Sequence, residues 1–407
     1  MKKLLFSFVM FGAFAFMTSC SSSSDGGSTP PPSDYGVPAD AQAGQAPTVT
    51  TNNVTIPNIS APSIESNGAV GNISMTGIKG IDGNFLSLAG TGDASQNIWM
   101  SIDGVAKSIA IVNGNDVAQA PRRAQKKGLA DIVFLIDNSG SMGEEADKLA
   151  QQVLDWSQKL AAVVDCKFGC VGYGDNSYGV DGGMDLADIS ELVNFLNNRS
   201  GYTYGTYRTY GFYGPKATEL ETKALSSTGG YYNGSYNECG VVALYFANDL
   251  FSWRDGANRI YINFTDEPNQ PNNLKQWSVE TLNSANTEIY NWNAAKGTVH
   301  SVYSGTDVSS YEAGGYYYPA SQSQLYWYEC PWLMSDYTGG LTLKTDPYFT
   351  NFKLDDIEVT GAILSTYILR FNITDDLRSG LHNIILTVKD KNGSMAQKEF
   401  KNVSFGG

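Results

Sequence analysis

Histidine is almost missing: His300 and His382 are the only two among 407 residues, and each lies inside an apolar, strand-like run. That scarcity removes most zinc centres and most arrangements in which imidazole activates a nucleophile. The two histidines read as core residues. No CxxC pair, HExxH, GxSxG or phosphate-cradling glycine loop occurs either, so the chain is not expected to be an enzyme, and any catalysis would have to rest on carboxylates alone. Gly169, Gly172 and Gly174 fall on a strand rather than just ahead of a helix, and read as strand packing.

Basic residues are outnumbered. Lysine and arginine total 27 against 41 aspartates and glutamates, a formal net charge of −14. Phosphate backbones are held by clustered basic side chains, so this balance argues against nucleic acid as a partner. Cysteine is sparse as well. Beyond Cys20 there are Cys166, Cys170, Cys239 and Cys330, an even number that in an exported chain allows one or two disulfides. Cys166 and Cys170 stand four apart on a strand, where their α-carbons would be ~13 Å from each other, and should not pair together.

Apolar runs long enough to cross a bilayer are also lacking. The N-terminal run from Leu4 to Met17 follows Lys2 and Lys3 and falls short of the ~20 residues a spanning helix needs. Small residues come next, as at the cleavage site of a secretion signal. Met17-Thr18-Ser19-Cys20 resembles a bacterial lipobox, which implies that Cys20 is lipidated and anchors the mature protein in the outer membrane. From Ser21 to about Gln45 the chain is Ser, Gly, Pro, Asp and Ala with almost nothing to bury, an unfolded leash. Residues 1–19 are therefore expected to be a signal peptide and 20–45 a tether.

The remaining residues exceed one ordinary core. Between 46 and 125, short alternating segments such as Gly71 to Thr76, Asn97 to Ile102 and Lys107 to Val112 read as antiparallel strands. A basic linker, Arg122 to Gly128, then introduces a different rhythm over 129–345. The near-continuous apolar run Asp131 to Asp137 reads as a strand buried on both faces, and helical spacing follows from Glu144 to Val164. Further strands are expected at Lys167 to Gly174, Arg259 to Phe264 and Gly297 to Tyr303. Helices are expected around Leu186 to Asn197, Cys239 to Phe251 and Lys275 to Ala295. Residues 346–407 return to strands: Phe352 to Thr360, Ser365 to Ile373, Leu381 to Val388 and Ala396 to Phe405. The fold class expected is α/β, a doubly wound Rossmann-like domain inserted in an all-β immunoglobulin-like sandwich built from both flanks. Two separate small β domains are the alternative for the flanks.

Asp137-Asn138-Ser139-Gly140-Ser141 falls just past the carboxyl end of the first buried strand, where ligands gather in open α/β sheets. Alternate residues of an extended turn point the same way, so one carboxylate and two hydroxyls converge. All three are hard oxygen donors of the kind that favour Mg²⁺ or Ca²⁺. The pentapeptide resembles the DxSxS metal-site motif of von Willebrand factor A domains. Phe168 to Asp175, Asn263 to Asp266 and Thr338 to Gly340 follow in the family's order, so the resemblance covers about residues 129–345. It implies that Ser139 and Ser141 ligate one divalent cation directly, while Asp137 and Asp266 act through water or behind the ligands. The family's threonine after a Gly-Gly pair has no counterpart following Thr228-Gly229-Gly230. Glu238 looks instead like the glutamate that integrin β subunits and hemicentin-like A domains use there. An additional carboxylate lowers the ion's residual charge and its pull on an acidic ligand. Glu144 and Glu145 occupy the offsets of a second, adjacent calcium site in integrin β domains, although acidic residues also favour a helix N-terminus on their own account.

Tyrosines crowd the intervening loops. Tyr207, Tyr210, Tyr231 and Tyr232 are candidate ligand contacts, since tyrosine gives rigid amphipathic contact area at low entropic cost; covering the domain's own sheet is the equal alternative. The expected function is a surface lipoprotein that binds a protein or glycan partner presenting an acidic group through the cation, as an adhesin or receptor. The alternative is a structural subunit of a surface or pilus complex whose metal only stabilises the fold.

Overall fold

The computed structural model describes residues 36–66, 68–113, 129–143, 145–174, 180–204, 207–213, 238–271, 277–283, 292–306, 328–347, 349 and 352–405; for 200–211 and 213 it describes the backbone alone. The signal segment, Cys20 and the first part of the tether lie outside these residues. Among the described residues no helix is long and apolar enough to cross a membrane.

Among the described residues sixteen strands make four sheets. Two of them each combine strands from both ends of the chain. The first runs β1 (Ser63–Ile64), β2 (Val70–Met75), β14 (Tyr367–Asn372), β5 (Ile109–Asn113). The second runs β16 (Met395–Val403), β15 (His382–Lys389), β3 (Ile98–Ile102), β4 (Val105–Lys107). All their pairings are antiparallel. Alternation is the cause of their packing: Ile73 and Met75 of β2, Leu369 and Phe371 of β14, Ile98 and Met100 of β3, and Ile384 and Leu386 of β15 point inward into one shared core.

The third sheet has the order β13 (Thr342–Lys344), β12 (Thr298–Tyr303), β11 (Asn258–Thr265), β6 (Leu129–Asp137), β7 (Asp165–Tyr173), β8 (Val180–Ala187). Its strands run parallel except β8, which returns antiparallel to β7. β6 is apolar on both faces because both are covered. Ile132, Phe134 and Ile136 pack with Leu149, Val153 and Trp156 of helix α1 (Ala146–Ala161). Val133 and Leu135 pack with Val242 and Phe246, from a helix spanning Gly240–Leu250. Between them in the chain comes α2 (Ile189–Asn197), so the Gly240–Leu250 helix is α3; α4 (Leu333–Thr338) and α5 (Val359–Leu364) complete the set described. The fourth sheet is a hairpin of β9 (Ser200–Tyr204) and β10 (Tyr207–Tyr213).

The expected fold class is thereby corrected. The described residues are predominantly β, with three of their four sheets wholly antiparallel, not a doubly wound Rossmann-like domain set into an immunoglobulin-like sandwich. Particular segments explain the difference. Residues 180–187 form the return strand β8, and the helix expected from Leu186 begins only at Ile189. Gly182 and Gly183 are costly in a helix but let β8 close on β7, where a Cβ on Gly183 would sit 2.5 Å from the Cys170 carbonyl oxygen. Of the long helix expected from Lys275 to Ala295, residues 277–283 hold only a 3-10 turn at Val279–Leu282, and residues 292–295 lie outside any helix. The strand expected from Phe352 to Thr360 is instead a 3-10 turn, Leu354–Ile357, running into α5. There Phe352, Leu354, Val359 and Ile363 all pack toward α1 rather than alternating between faces, and Trp156 Nε1 donates to Thr360 Oγ1 at 2.8 Å.

No disulfide joins any of Cys166, Cys170, Cys239 and Cys330, all of which are buried. His300 and His382 are both buried. His300 Nδ1 accepts from the Leu341 amide, and His382 Nδ1 meets Asp103 Oδ2 at 2.7 Å.

Candidate functional site

At the carboxyl end of the parallel sheet, β6 and its neighbour β11 finish side by side, and their following loops lead away to different parts of the chain. Asp137 is the last residue of β6 and is fully buried. One of its oxygens accepts from the Ser139 amide at 3.0 Å, and the other from Thr265 Oγ1, at the end of β11, at 2.8 Å. The chain then enters a 3-10 turn, Gly140–Gly143, which folds Ser141 back toward Ser139; their hydroxyls are 3.0 Å apart. Ser141 Oγ donates to Asp266 Oδ1 at 3.2 Å. Glu238, two residues ahead of α3, is hydrogen-bonded to Ser139 and accepts from Gln270 Nε2 at 2.8 Å. The five residues expected from the sequence, Asp137, Ser139, Ser141, Glu238 and Asp266, are thus brought together.

The packing leaves no room for alternatives at one backbone position. Gly174, at the end of β7, has φ +95°, and a Cβ there would lie 2.9 Å from Glu238 Cγ and 3.2 Å from Asp137 Oδ1. Glycine satisfies both the left-handed backbone and the close approach.

The electrostatics are one-sided. Burial, and after it the carboxylates of Glu238 and Asp266, push the Asp137 carboxyl well above its ordinary range. Burial, then Glu267 and Asp266, raise Glu238 to about 7. Asp266 is raised by burial, and Glu267 by burial and by Asp266. No lysine or arginine contributes to any of the four. Among the described residues no three His, Cys, Asp and Glu side chains alone make a metal-holding group; the two serine hydroxyls would complete the donor set. The residues fit a hard divalent cation: the donors are all oxygens, two are neutral hydroxyls, and the surrounding carboxylates lack a positive partner.

Glu145 is buried at the start of α1, and Glu144 lies outside the described residues. Tyr207 and Tyr210 are on β10, whose backbone alone is described for them; Tyr231 and Tyr232 lie outside the described residues, as does the Thr228 loop. Residues the sequence reading missed include Thr265, Gln270 and Asn138. The Asn138 side chain accepts from the Phe212 amide at 3.1 Å and donates to Asp181 at 3.3 Å, holding the loop against β10 and β8. Thr265 could have been noticed as the hydroxyl next to Asp266; the other two depend on tertiary contacts.

No family model matches the chain, and no curated protein matches it in sequence. Solved structures do. The adhesive tip pilin GBS104 of Group B Streptococcus agalactiae is 14% identical, over 37% of this chain and 49% of that one, with a TM-score of 0.23. The open conformation of the pilus adhesin SpaC from Lactobacillus rhamnosus GG is 11% identical, over 88% of this chain and 55% of that one, with a TM-score of 0.30. The pilus adhesin RrgA of Streptococcus pneumoniae is 14% identical, over 57% of this chain and 33% of that one, with a TM-score of 0.21. The matched regions thus span about half or less of those chains.

Proposed function

We propose that this chain is a cell-surface subunit with an adhesive or assembly role, built around one divalent cation, Mg²⁺ or Ca²⁺, and without enzymatic activity. The observation that carries the reading is the buried, uncompensated set of carboxylates facing two serine hydroxyls. Ser139, Ser141 and Glu238 would hold the ion. Asp137 and Asp266 orient the hydroxyls and supply negative charge behind them, as in the von Willebrand factor A domains that the motif resembles. Such an ion offers a positive charge to which an acidic group of a protein or glycan partner can bind. Anchoring through a lipid on Cys20 in the outer membrane, with the tether extending the folded part outward, completes the proposal.

A second reading, a structural subunit whose cation only holds the loops together, is favoured by the full engagement of Asp137. Both its oxygens are bonded and it has no exposure, so an ion here would tie the ends of β6 and β11 to the start of α3. Titration calorimetry of Mg²⁺ and Ca²⁺ into the chelator-stripped chain and its Ser139→Ala, Ser141→Ala double variant tests the site. Binding by the parent alone supports it; absence of binding in both overturns it. Partner binding that survives in chelator would select the structural reading over the adhesive one.

A further inference from the structure

Strand β16 places a lysine where its pattern calls for an apolar residue. Ala396, Lys398 and Phe400 alternate onto one face, and Ala396 and Phe400 are buried in the core shared by the two antiparallel sheets. Lys398 Nζ donates to the Ile56 carbonyl at 3.0 Å and sits 5.6 Å from the Phe400 ring centroid. It forms no ion pair among the described residues, and burial alone brings its ammonium down to about 7. Asp336 and Glu399 line the same cavity, but neither carboxylate offsets this desolvation. The Lys398 side chain is half-buried, and an ammonium shielded from water without a counter-charge is costly.

The cavity that Lys398 lines holds about 540 Å³ and shares no residue with the carboxylate cluster. Its wall is rich in amide and hydroxyl groups, among them Asn53, Thr55, Asn283, Tyr337 and Gln397. These donate and accept hydrogen bonds in both directions, as recognition of several hydroxyls requires. The volume lies in the range of small-ligand sites, roughly 300–1,000 Å³.

We propose that this cavity binds a carboxylated, hydroxyl-rich ligand of the acidic-sugar class, with Lys398 pairing the carboxylate and the amide wall reading the hydroxyls. The ligand supplies the counter-charge that the fold withholds from Lys398. The site is independent of the cation reading, so it is tested with chelator present throughout.

The test is calorimetric titration of the full chain with glucuronate, its methyl glycoside, glucose and acetate, repeated on Lys398→Met. Methionine keeps the stem's volume but removes the charge and its bond to the Ile56 carbonyl, so thermal melting is recorded alongside, and a variant that still melts cooperatively separates loss of binding from loss of fold. Glucuronate binding that weakens at least about tenfold in Lys398→Met, with glucose and acetate much weaker, is the expected result. If the methyl glycoside binds as well, the ligand is the end of a glycan chain; if only free glucuronate binds, it is the free sugar, and both outcomes support the site. No binding of either uronate, equal binding by Lys398→Met, or acetate as tight as glucuronate would overturn the proposal.

Discussion

Asp131 and Asp137 lie on one strand, both with no exposed surface, and only Asp137 is marked in the sequence, by the serines that follow it. Near the amino end of β6, Asp131 receives the Arg254 side chain at 2.7 Å and the Arg254 amide at 2.8 Å. The same guanidinium reaches Asp165 at 3.1 Å and the Ala130 carbonyl at 2.9 Å. At the carboxyl end, Asp137 meets only hydroxyls, an amide and other carboxylates. One end of the sheet is closed by a protein cation; the other gathers negative charge and neutral oxygens with no cation of its own. Lys107 with Asp40 and Arg370 with Glu65 follow the first pattern, whereas Lys398 and Glu329, like Asp137, have no opposite charge beside them. What sets Asp137 apart is that further carboxylates crowd it at the loop where the two serines converge.

The comparison can be broken first at its closed end. Arg254→Ala leaves Asp131 buried without its partner and should cost about 3 kcal/mol, the usual scale for breaking a buried pair, read as a lower melting temperature whether or not a divalent cation is present. A cation-dependent loss would mean that the two ends are not separate. At the open end, Thr265→Val removes the hydroxyl that donates to Asp137. It should cost about 1–2 kcal/mol and weaken cation binding, as measured by melting and calorimetry; unaltered affinity would show that the orientation of Asp137 is irrelevant to the ion.

Glu329 sharpens the contrast from a third place. It is buried and accepts from Asn269 Nδ2, Ser278 Oγ and the Val279 amide, yet burial still raises it from 4.5 to about 7. Because the folded value exceeds the unfolded one, the fold favours the protonated form. Its stabilising contribution is complete below about pH 4.5 and is lost as pH rises through about 7. Glu329→Gln should flatten the fall of melting temperature between pH 5 and 8 by an amount on the order of 1 kcal/mol. An unchanged slope would assign the pH dependence to other groups.

How much of this was readable beforehand follows from range. Asp137, Ser139 and Ser141 lie within five residues at the end of a strand whose burial on both faces is written in its composition, and Asp266 repeats that placement after β11. Glu238 was legible through its position just ahead of a helix. Thr265 had only its place beside Asp266 to mark it, while Gln270 and Asn138 act through partners dozens of residues away, and no local pattern marks them. Gly174 looked like strand packing, and its steric role appears only once Glu238 is placed against it. The errors of fold have different sources: 180–185 is expected in no element yet forms most of β8 against β7, whereas at 352–360 a short apolar pattern suits helix and strand alike and contacts with α1 decided between them. Arg254 carried no motif at all, so the neutral end of β6 was invisible in the sequence.

The most direct test of the account is the melting temperature of Asp137→Asn beside the parent chain, in chelator and in millimolar Ca²⁺ or Mg²⁺. Without the cation the variant should melt higher, because a buried carboxylate repelled by Glu238 and Asp266 has been neutralised. With the cation the order should reverse, the parent gaining roughly 2.7 kcal/mol at a hundredfold excess over its dissociation constant. A parent whose melting temperature neither ion moves, or an Asp137→Asn chain that is less stable in both conditions, would contradict the claim that this end of the sheet is built for a cation.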